Sequence, residues 1–259
     1  MPARVVGDNR PVASTQTGAH AATPPSRHVR RLRRRWTWWL GVLLIVGGLG
    51  LLGYVAWQFW GTNWVSHRTH ERIVSQVAKE WQDGSTGTTG TTGSTGTAGA
   101  AVEVAEGNVT ALVRIPRFGD DYVVPVLEGT DDDVLAAGYG HFEDAAGPGQ
   151  LGNYAIAAHR VTHGEPLRHM PELRPGDEIV VETRDATYTY ELTTGGDDLV
   201  VPFTAGWVVD PLPDNPEPGG VEPDQQQGQR LITLTTCSEL FHTDNRLVAF
   251  GVLKDRTPR

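Results

Sequence analysis

The sequence predicts a mainly β domain that follows a single transmembrane helix. About 150 residues from Gly107 onward contain short β-branched runs separated by Gly, Pro, Asp and Asn, which is the pattern of a closed or nearly closed barrel. A run without any charged residue, 36–60, precedes that domain. We therefore divide the chain into a basic tail (1–35), a transmembrane helix (36–60), a juxtamembrane segment (61–83), a flexible linker (84–106) and a folded domain (107–259).

The apolar segment 36–60 is long enough to cross a bilayer, because a membrane-spanning helix needs roughly 20 apolar residues. It is too long for the core of a cleaved signal peptide, and the sequence Trp57–Trp60 lacks the small residues of a cleavage site. Six arginines crowd residues 27–35, so the positive-inside rule places the N-terminus in the cytoplasm. We expect a single-pass protein of the cell membrane whose remaining residues lie outside the cell.

Charge divides at the same segment. Residues 1–35 carry eight arginines and one aspartate, which is a net charge of +7. Because the whole chain has a net charge of −9, the remaining residues carry a net charge of −16. An acidic domain argues against a nucleic-acid partner, because phosphate binding needs a basic face. The arginine cluster suits contact with anionic membrane lipid.

The segments between the membrane and the domain differ in composition. Residues 67–82 could form a short helix, whereas residues 84–99 are nearly all Gly, Ser and Thr and lack the apolar groups of a core. We predict that the second segment is a flexible tether. Glycosylation of its hydroxyls is an open alternative.

Eight runs in the domain have the composition of strands. They are Leu112–Phe118, Tyr122–Leu127, Asn153–His159, Glu178–Glu182, Thr187–Leu192, Trp207–Pro211, Leu231–Cys237 and Leu247–Leu253. Short helices are predicted over Asp132–Ala137 and Glu165–Leu173. The irregular segment 210–229 is interpreted as either a disordered loop or a lid.

Three side chains could carry covalent chemistry. Cys237 is the only cysteine, and a thiolate is a strong nucleophile when an electropositive setting stabilises it. His159 could exchange protons with the thiol and with a leaving amine, and Arg246 could stabilise an oxyanion. Each residue also has an ordinary structural interpretation. Cys237 could be a small buried apolar residue, His159 could cap a strand, and Arg246 could be a solvent-exposed residue of a turn.

The local context favours chemistry. Cys237 ends a β-branched run, turn residues occupy 243–245, and Arg246 opens the next strand. A loop of that length would fold Arg246 back beside Cys237. An exported domain with one cysteine also has no internal disulfide, so retention of an oxidisable thiol suggests use.

These motifs resemble those of the sortases, and most closely the class E sortases of actinobacteria. The T-L-x-T-C strand is matched by residues 233–237, the following arginine by Arg246, and G-N-x-x-x-x-G/A-H-R by residues 152–160. The resemblance covers roughly 112–253. Departures are Ala158, where glycine is frequent, and the segment Ser238–His242, where relatives carry a Pro- and Lys-containing loop.

The resemblance implies an eight-stranded sortase-type β-barrel and an extracellular cysteine transpeptidase without a cofactor. Its catalytic residues would be His159, Cys237 and Arg246. The implied substrates are secreted proteins with a C-terminal L-A-x-T-G or L-P-x-T-G signal, cleaved between Thr and Gly. The implied acceptor is an amine of a lipid-linked peptidoglycan precursor, joined through a thioester acyl-enzyme.

Further residues are predicted near the substrate. The expected positions are Thr233, Leu234, Thr236, Ser238 and His141. For the three strand residues, ordinary packing in a β-strand is an equal alternative. For His141, the equal alternative is an ordinary histidine in a loop. The Ser238 backbone N–H is expected to be a second oxyanion donor. No spacing of His and Cys predicts a metal site.

Other functions fit less well. An L,D-transpeptidase would be expected to show His-Gly-Cys where Thr235 and Thr236 precede the cysteine, and papain-like peptidases normally have cysteine before histidine. The non-enzymatic alternative is a membrane-tethered barrel that binds wall or partner proteins and buries an inert thiol.

Overall fold

The structure is a computed structural model that describes residues 27–57, 62–83, 101–238 and 244–259. The chain divides between Leu52 and Gly53 into two compact units. Most of helix α1 (Arg27–Ala56) lies in the first unit. Within α1, the stretch Trp36–Val55 has a mean hydropathy of 1.9 and is long and apolar enough to span a membrane.

In its described residues, the second unit contains a single sheet of ten strands. The strands are β1 (Val102–Val104), β2 (Gly107–Arg114), β3 (Val124–Glu128), β4 (Tyr139–His141), β5 (Gly152–Ala157), β6 (Glu178–Glu182), β7 (Ala186–Leu192), β8 (Leu199–Pro202), β9 (Arg230–Cys237) and β10 (Asn245–Pro258).

Eight of these strands close into a barrel. Their order is β2–β3–β4–β5–β9–β10–β7–β6, and β6 pairs again with β2 to complete the ring. The two remaining strands lie beside the ring, β1 on β2 and β8 on β10. The predicted mainly β, eight-stranded barrel is confirmed.

Two strand pairs are parallel, and one of them matters for the site. β3 pairs parallel with β4 across helix α3 (Asp132–Ala137), and β5 pairs parallel with β9. Because parallel strands run in the same direction, the carboxyl ends of β5 and β9 meet at one edge of the barrel.

The barrel interior is filled by apolar side chains from every strand of the ring. Among the largest fully buried groups there are Tyr139, Tyr154, Tyr190, Ile156 and Ile179. Burial of such side chains is the main stabilising contribution to the domain.

Helix α2 (Thr62–Asp83) packs on the outside of the barrel. Its Ile73 and Val77 are fully buried in a second apolar cluster with Val109, Leu112 and Leu127. The spacing of four residues between Ile73 and Val77 places both on one helix face. The helix predicted over 67–82 is present and begins earlier, at Thr62.

A third apolar cluster covers the opposite face of β10. It joins Leu199 and Val201 of β8, Val208, and Val248 and Phe250 of β10. Val208 belongs to a 3₁₀ helix, Gly206–Val209, for which the sequence predicted a strand over Trp207–Pro211. That prediction was wrong because the apolar groups of this segment pack as a single turn against β10.

Several other boundaries differ from the predictions. The strand predicted over Leu112–Phe118 begins at Gly107 and gives way to a 3₁₀ helix at Pro116, since proline has no N–H for a ladder. The helix predicted over Glu165–Leu173 is reduced to one 3₁₀ turn, Met170–Glu172. The other six predicted strands and the helix Asp132–Ala137 are present.

Three strands were not predicted: β1, β4 and β8. Each has only three or four residues, too few to show a periodic pattern. β1 lies inside the segment 84–106 for which a linker is predicted, while residues 84–100 of that segment fall outside the described residues.

Candidate active site

Cys237 and Arg246 are direct cross-strand neighbours. Cys237 is the last residue of β9, and the antiparallel register pairs it with Arg246 near the start of β10. Opposite residues of an antiparallel pair project from the same face with Cβ atoms about 5 Å apart. The guanidinium is therefore held near the thiol by the sheet itself.

The face that carries this pair is the outer face of the barrel. Thr235–Val248 and Thr233–Phe250 are the preceding pairs on that face, and both β10 residues belong to the third apolar cluster. The pair Cys237–Arg246 thus continues a row whose earlier members are covered by apolar groups.

His159 reaches the same edge from β5. The backbone N–H of Ala158 donates to the carbonyl of Thr235 (3.2 Å), and the Thr236 hydroxyl donates to the carbonyl of Ala158 (2.7 Å). These bonds extend the parallel pairing of β5 and β9 beyond the last strand residue. They place His159 at the strand end next to Cys237.

The three predicted catalytic side chains line one cleft of about 550 Å³. Its walls are predominantly apolar and include Phe142, Val201, Phe203, Val208 and Val209. A cleft of this size, lined by apolar groups around a few polar ones, is typical of a binding site for a small molecule or short peptide.

The electrostatic environment keeps His159 neutral. Burial is the largest cause that lowers the pKa of its imidazole, and the neighbouring His163 and the positive charge of Arg246 add to it. Against the opposing effect of Asp132, the resulting pKa is about 4. At neutral pH the imidazole can therefore accept a proton. Once protonated, it is a stronger acid than an exposed histidine.

Among the predicted substrate residues, Thr236 lines the cleft but Thr233 and Leu234 do not. Thr233 is fully buried, and its hydroxyl donates to the side-chain oxygen of Asn153 (2.8 Å). Leu234 belongs to the barrel interior. In this structure Thr233 therefore joins two strands and Leu234 fills the core, and a contact of either residue with substrate stays a prediction.

Ser238 and His141, which are also predicted to lie near the substrate, make structural contacts. The Ser238 N–H donates to the carbonyl of Asn245 (3.1 Å), so the ladder uses the group that was predicted to bind an oxyanion. His141 is buried on β4, with Nδ1 2.9 Å from Glu128 Oε2 and Nε2 3.1 Å from the carbonyl of Ala146. Neither residue lines the cleft.

Asn153 explains why the chain has Gly-Asn at the start of β5. Its amide donates to the carbonyls of Val208 (3.2 Å) and Asp210 (3.0 Å), and its oxygen accepts from Thr233. The side chain thereby ties the 3₁₀ helix Gly206–Val209, which forms one wall of the cleft, to β5 and β9.

Sequence reasoning missed most of the cleft wall. Val201 and Phe203 lie in or next to the unpredicted strand β8, and Asp132, in the first turn of α3, was interpreted only as a helix start. No local pattern could have assigned the wall residues, because they reach the cleft through pairing of β8 with β10. Within the described residues, no group of three or more His, Cys, Asp and Glu could hold a metal ion.

Comparisons with known proteins indicate the family of the chain. A family model described as the sortase domain matches residues 113–254. Sortase SrtE1 of Streptomyces coelicolor is 31% identical over 227 residues, which cover 85% of this chain and 58% of that protein. Sortase SrtE2 of the same organism is 29% identical over 232 residues, covering 85% of each. This chain thus spans less than two thirds of the length of SrtE1.

Solved structures show the same fold. Sortase E of Streptomyces avermitilis has a TM-score of 0.51 and 35% identity, covering 60% of this chain and 93% of that one. The SrtA sortase of Actinomyces oris has a TM-score of 0.52 and 31% identity, covering 61% and 87%. Sortase E1 of S. coelicolor, solved with a tripeptide in its active site, has a TM-score of 0.50 and 33% identity, covering 61% and 94%. Since the family model covers more than half of this chain and the barrel has the same fold, the chain belongs to the sortase family, whose members are cysteine transpeptidases.

Proposed function

We propose that this protein is a membrane-anchored, extracellular sortase. It cleaves the Thr–Gly bond of a C-terminal sorting signal in secreted proteins and joins the new C-terminus to an amine of a lipid-linked peptidoglycan precursor. The observation that carries this proposal is that Cys237, His159 and Arg246 line one cleft beside the neighbouring strands β9, β5 and β10.

The first half of the reaction forms an acyl-enzyme. Neutral His159 takes the proton of the Cys237 thiol, and the thiolate attacks the carbonyl carbon of the signal's threonine. The carbonyl electrons move to oxygen, and Arg246 stabilises the resulting oxyanion. When the C–N bond breaks, protonated His159 gives its proton to the glycine amine, which leaves a thioester on Cys237.

The second half transfers the acyl group. The acceptor amine attacks the thioester carbonyl while His159 removes its extra proton, and the tetrahedral intermediate collapses with the thiolate as leaving group. The product is a new amide bond. Protonated His159 then returns a proton to the Cys237 thiolate, so both groups regain their starting forms. Water in place of the amine would give hydrolysis, so the two acceptors must be distinguished by experiment.

The cleft also supports the signal class. Its apolar walls suit the leucine and alanine of an L-A-x-T-G segment, and the fourth residue would place its carbonyl at the sulfur. The proposal assigns catalysis to His159, Cys237 and Arg246 and substrate contact to Thr236.

The location rests on the sequence. The apolar span within α1, the arginines before it and the acidic domain after it support a cytoplasmic N-terminus and an external catalytic unit. Such an anchor would keep the enzyme near newly exported proteins and near precursors held in the same membrane.

The test is peptide cleavage by the full chain in detergent micelles. The full chain is used because a truncation at Gly107 would remove both α2 and β1 from the folded unit. L-A-x-T-G and L-P-x-T-G peptides are incubated with a small amine, and products are identified by mass spectrometry. We expect Thr–Gly cleavage with amine capture, abolished in Cys237→Ala. Absence of product together with a thiol that resists alkylation would instead favour a non-enzymatic binding barrel.

A further inference from the structure

A strained turn follows His159 in the chain. His163, Gly164 and Glu165 have φ angles of 53°, 80° and 51°, so three consecutive residues lie in the left-handed region. Two of them carry a Cβ, which makes this conformation unfavourable. Such a turn persists only where contacts from the surrounding structure hold it.

Asn63, in the first turn of α2, supplies such contacts. Its side-chain oxygen accepts a hydrogen bond from the backbone N–H of Gly164 (3.0 Å), and its amide nitrogen donates to Glu165 Oε1 (2.6 Å). One amide side chain therefore holds two of the three left-handed residues. These bonds join positions about a hundred residues apart in the sequence.

The turn also fits closely against the next turn of α2. A Cβ placed on Gly164 would lie 2.9 Å from Cε1 of His70 and 3.4 Å from Cβ of Ser66. His70 and Ser66 are both buried, so neither side chain can move aside into solvent. The Ser66 hydroxyl donates in addition to the carbonyl of Ala136 in α3 (3.2 Å).

The turn is coupled to His159 by two contacts. The carbonyl of His159 accepts from the backbone N–H of Leu167 (3.1 Å), which closes the loop around the turn. The rings of His159 and His163 stack with centroids 4.8 Å apart and planes inclined by 30°. Displacement of the turn would therefore move or loosen His159.

We propose that Asn63 is a positioning residue for the transpeptidation: by holding the turn 163–165, it fixes His159 against Cys237. The inference rests on the proposed function. It makes the juxtamembrane helix α2 part of the active-site framework. Asn63 lies eight residues after Val55, where the apolar span ends. Asn63 does not line the cleft and acts only through the turn.

The first test compares Asn63→Ala with the unaltered full chain in detergent micelles. We expect kcat to fall by about 10- to 100-fold and KM to stay within about twofold, because the signal still binds but the proton carrier is misplaced. Gln76→Ala is the matched control, since Gln76 lies on the same helix but contacts Glu80 and the carbonyl of Glu103. This variant should keep both constants.

The second readout is the titration of His159, followed by NMR without substrate. The groups that face this imidazole are Asp132 of α3, His163 of the same loop, Arg246 of β10 and the thiol of Cys237. Loss of Asn63 leaves Asp132, Arg246 and Cys237 in place, but it loosens the turn that carries His163 and lets water reach the ring. The pKa of His159 should then rise from its depressed value toward 6.5.

The turn can also be disturbed from its own side. Gly164→Ala places a methyl group against His70, whereas Gly176 has a similar φ of 92° and no atom near its missing Cβ. Both substitutions carry the same backbone strain, so Gly176→Ala controls for it. Only Gly164→Ala should reproduce the loss of kcat.

A charge exchange tests the polar contact itself. Asn63→Asp keeps the acceptor for Gly164 but sets a carboxylate against Glu165, so kcat should fall. Adding Glu165→Gln restores a donor–acceptor pair with reversed polarity, and kcat should recover to within about threefold of the unaltered chain.

The outcomes separate the two proposals. An unaltered kcat and an unaltered His159 titration in Asn63→Ala would overturn the positioning role. A loss of kcat that only parallels a loss of folded protein, with no recovery in the charge exchange, would overturn it as well. Failure of the unaltered chain to cleave any signal peptide would instead contradict the proposed function, and the His159 titration would still test the turn.

Discussion

The edge of the barrel and the loop after β5 position side chains in different ways. Cys237 and Arg246 end a ladder of seven residue pairs that begins with Leu231 and Val252. His159 lies beyond the end of its strand, in a loop that contains a left-handed turn and depends on contacts from α2. Two of the three proposed catalytic side chains are therefore fixed by the sheet, and the third is fixed by tertiary contacts.

This difference separates robust from sensitive parts of the site. A side chain on a paired strand keeps its position after most distant substitutions, because many backbone hydrogen bonds and a buried core hold the strand. A loop placement can be lost through one remote side chain. Substitutions in the two regions should therefore differ in the size of their effects. The loss of kcat expected for Asn63→Ala is smaller than the losses expected for changes at Cys237 and Arg246.

The largest effect concerns the nucleophile. Cys237→Ala should lower the rate of peptide cleavage by about 10⁴-fold or more, because no other side chain of the described cleft can form the thioester. Intact-mass spectrometry with substrate should show an acyl-enzyme for the unaltered chain and none for the variant. Equal acylation of both proteins would place the nucleophile elsewhere.

The second effect concerns the cross-strand partner. Arg246→Lys keeps the charge but loses the planar fork of donors, so kcat should fall by about 100-fold. Arg117→Lys is the control, because Arg117 forms an exposed ion pair with Asp177 away from the cleft. If both variants turn over peptide equally well, Arg246 does not bind the oxyanion.

The third effect is on the core beneath the ladder. Leu234→Ala should lower the free energy of unfolding by about 2–5 kcal/mol, since Leu234 is fully buried in the barrel. Val200→Ala, at a position on β8 that is 54% exposed, should change it by less than about 0.5 kcal/mol. Denaturant titrations of the two variants measure this; similar losses would contradict the assigned faces.

The fourth effect is a pH dependence of stability that arises at α2 and the loop. Burial lowers the pKa of His70 and of His159 to about 4, whereas the unfolded chain protonates both near 6.5. Between these values the unfolded state binds more protons, so stability falls as pH falls through this window and is unaffected above it. Buried His70 alone could account for about 3 kcal/mol.

Denaturant titrations at pH 7 and at pH 4.5 check this effect. His70→Gln should flatten the decline, whereas His169→Gln, at an exposed residue paired with Glu172, should not. A decline that is the same in all three proteins would remove His70 from the explanation.

The smallest effect concerns the far end of the loop. The Tyr122 hydroxyl donates to the carbonyl of Pro166 (2.8 Å) and lies 2.7 Å from the Tyr139 hydroxyl. Tyr122→Phe leaves both partners without this contact and should cost about 1–2 kcal/mol of unfolding free energy. Thermal unfolding measures the cost; a variant as stable as the unaltered chain would show that the loop does not need this contact.

The pairing of β9 with β10, which brings Cys237 and Arg246 together, was largely predictable from the sequence. The β-branched run before Cys237, the turn residues and the run after Arg246 are local signals, and they predict a hairpin that brings both side chains together. The two-residue alternation of that strand also explains the position of Leu234: successive side chains alternate between the two faces of the sheet, so Leu234 enters the core.

The contacts that hold the loop after β5 were not predictable from the sequence. Asn63 and the turn 163–165 have no sequence pattern in common, and their contact exists only because α2 packs beside the loop. The cleft wall has the same origin, since Val201 and Phe203 depend on a four-residue strand that is too short to show a period. Tertiary contacts, not local propensity, determine these parts.

The most direct measurement of this comparison is backbone hydrogen exchange of the full chain, unaltered and as Asn63→Ala. We expect faster exchange at Gly164, Glu165 and Leu167, and unchanged exchange along β9 and β10. That result would show that α2 holds the histidine loop while the sheet holds Cys237 and Arg246. Equal protection of the loop in both proteins, or loss of protection throughout the barrel, would contradict the account.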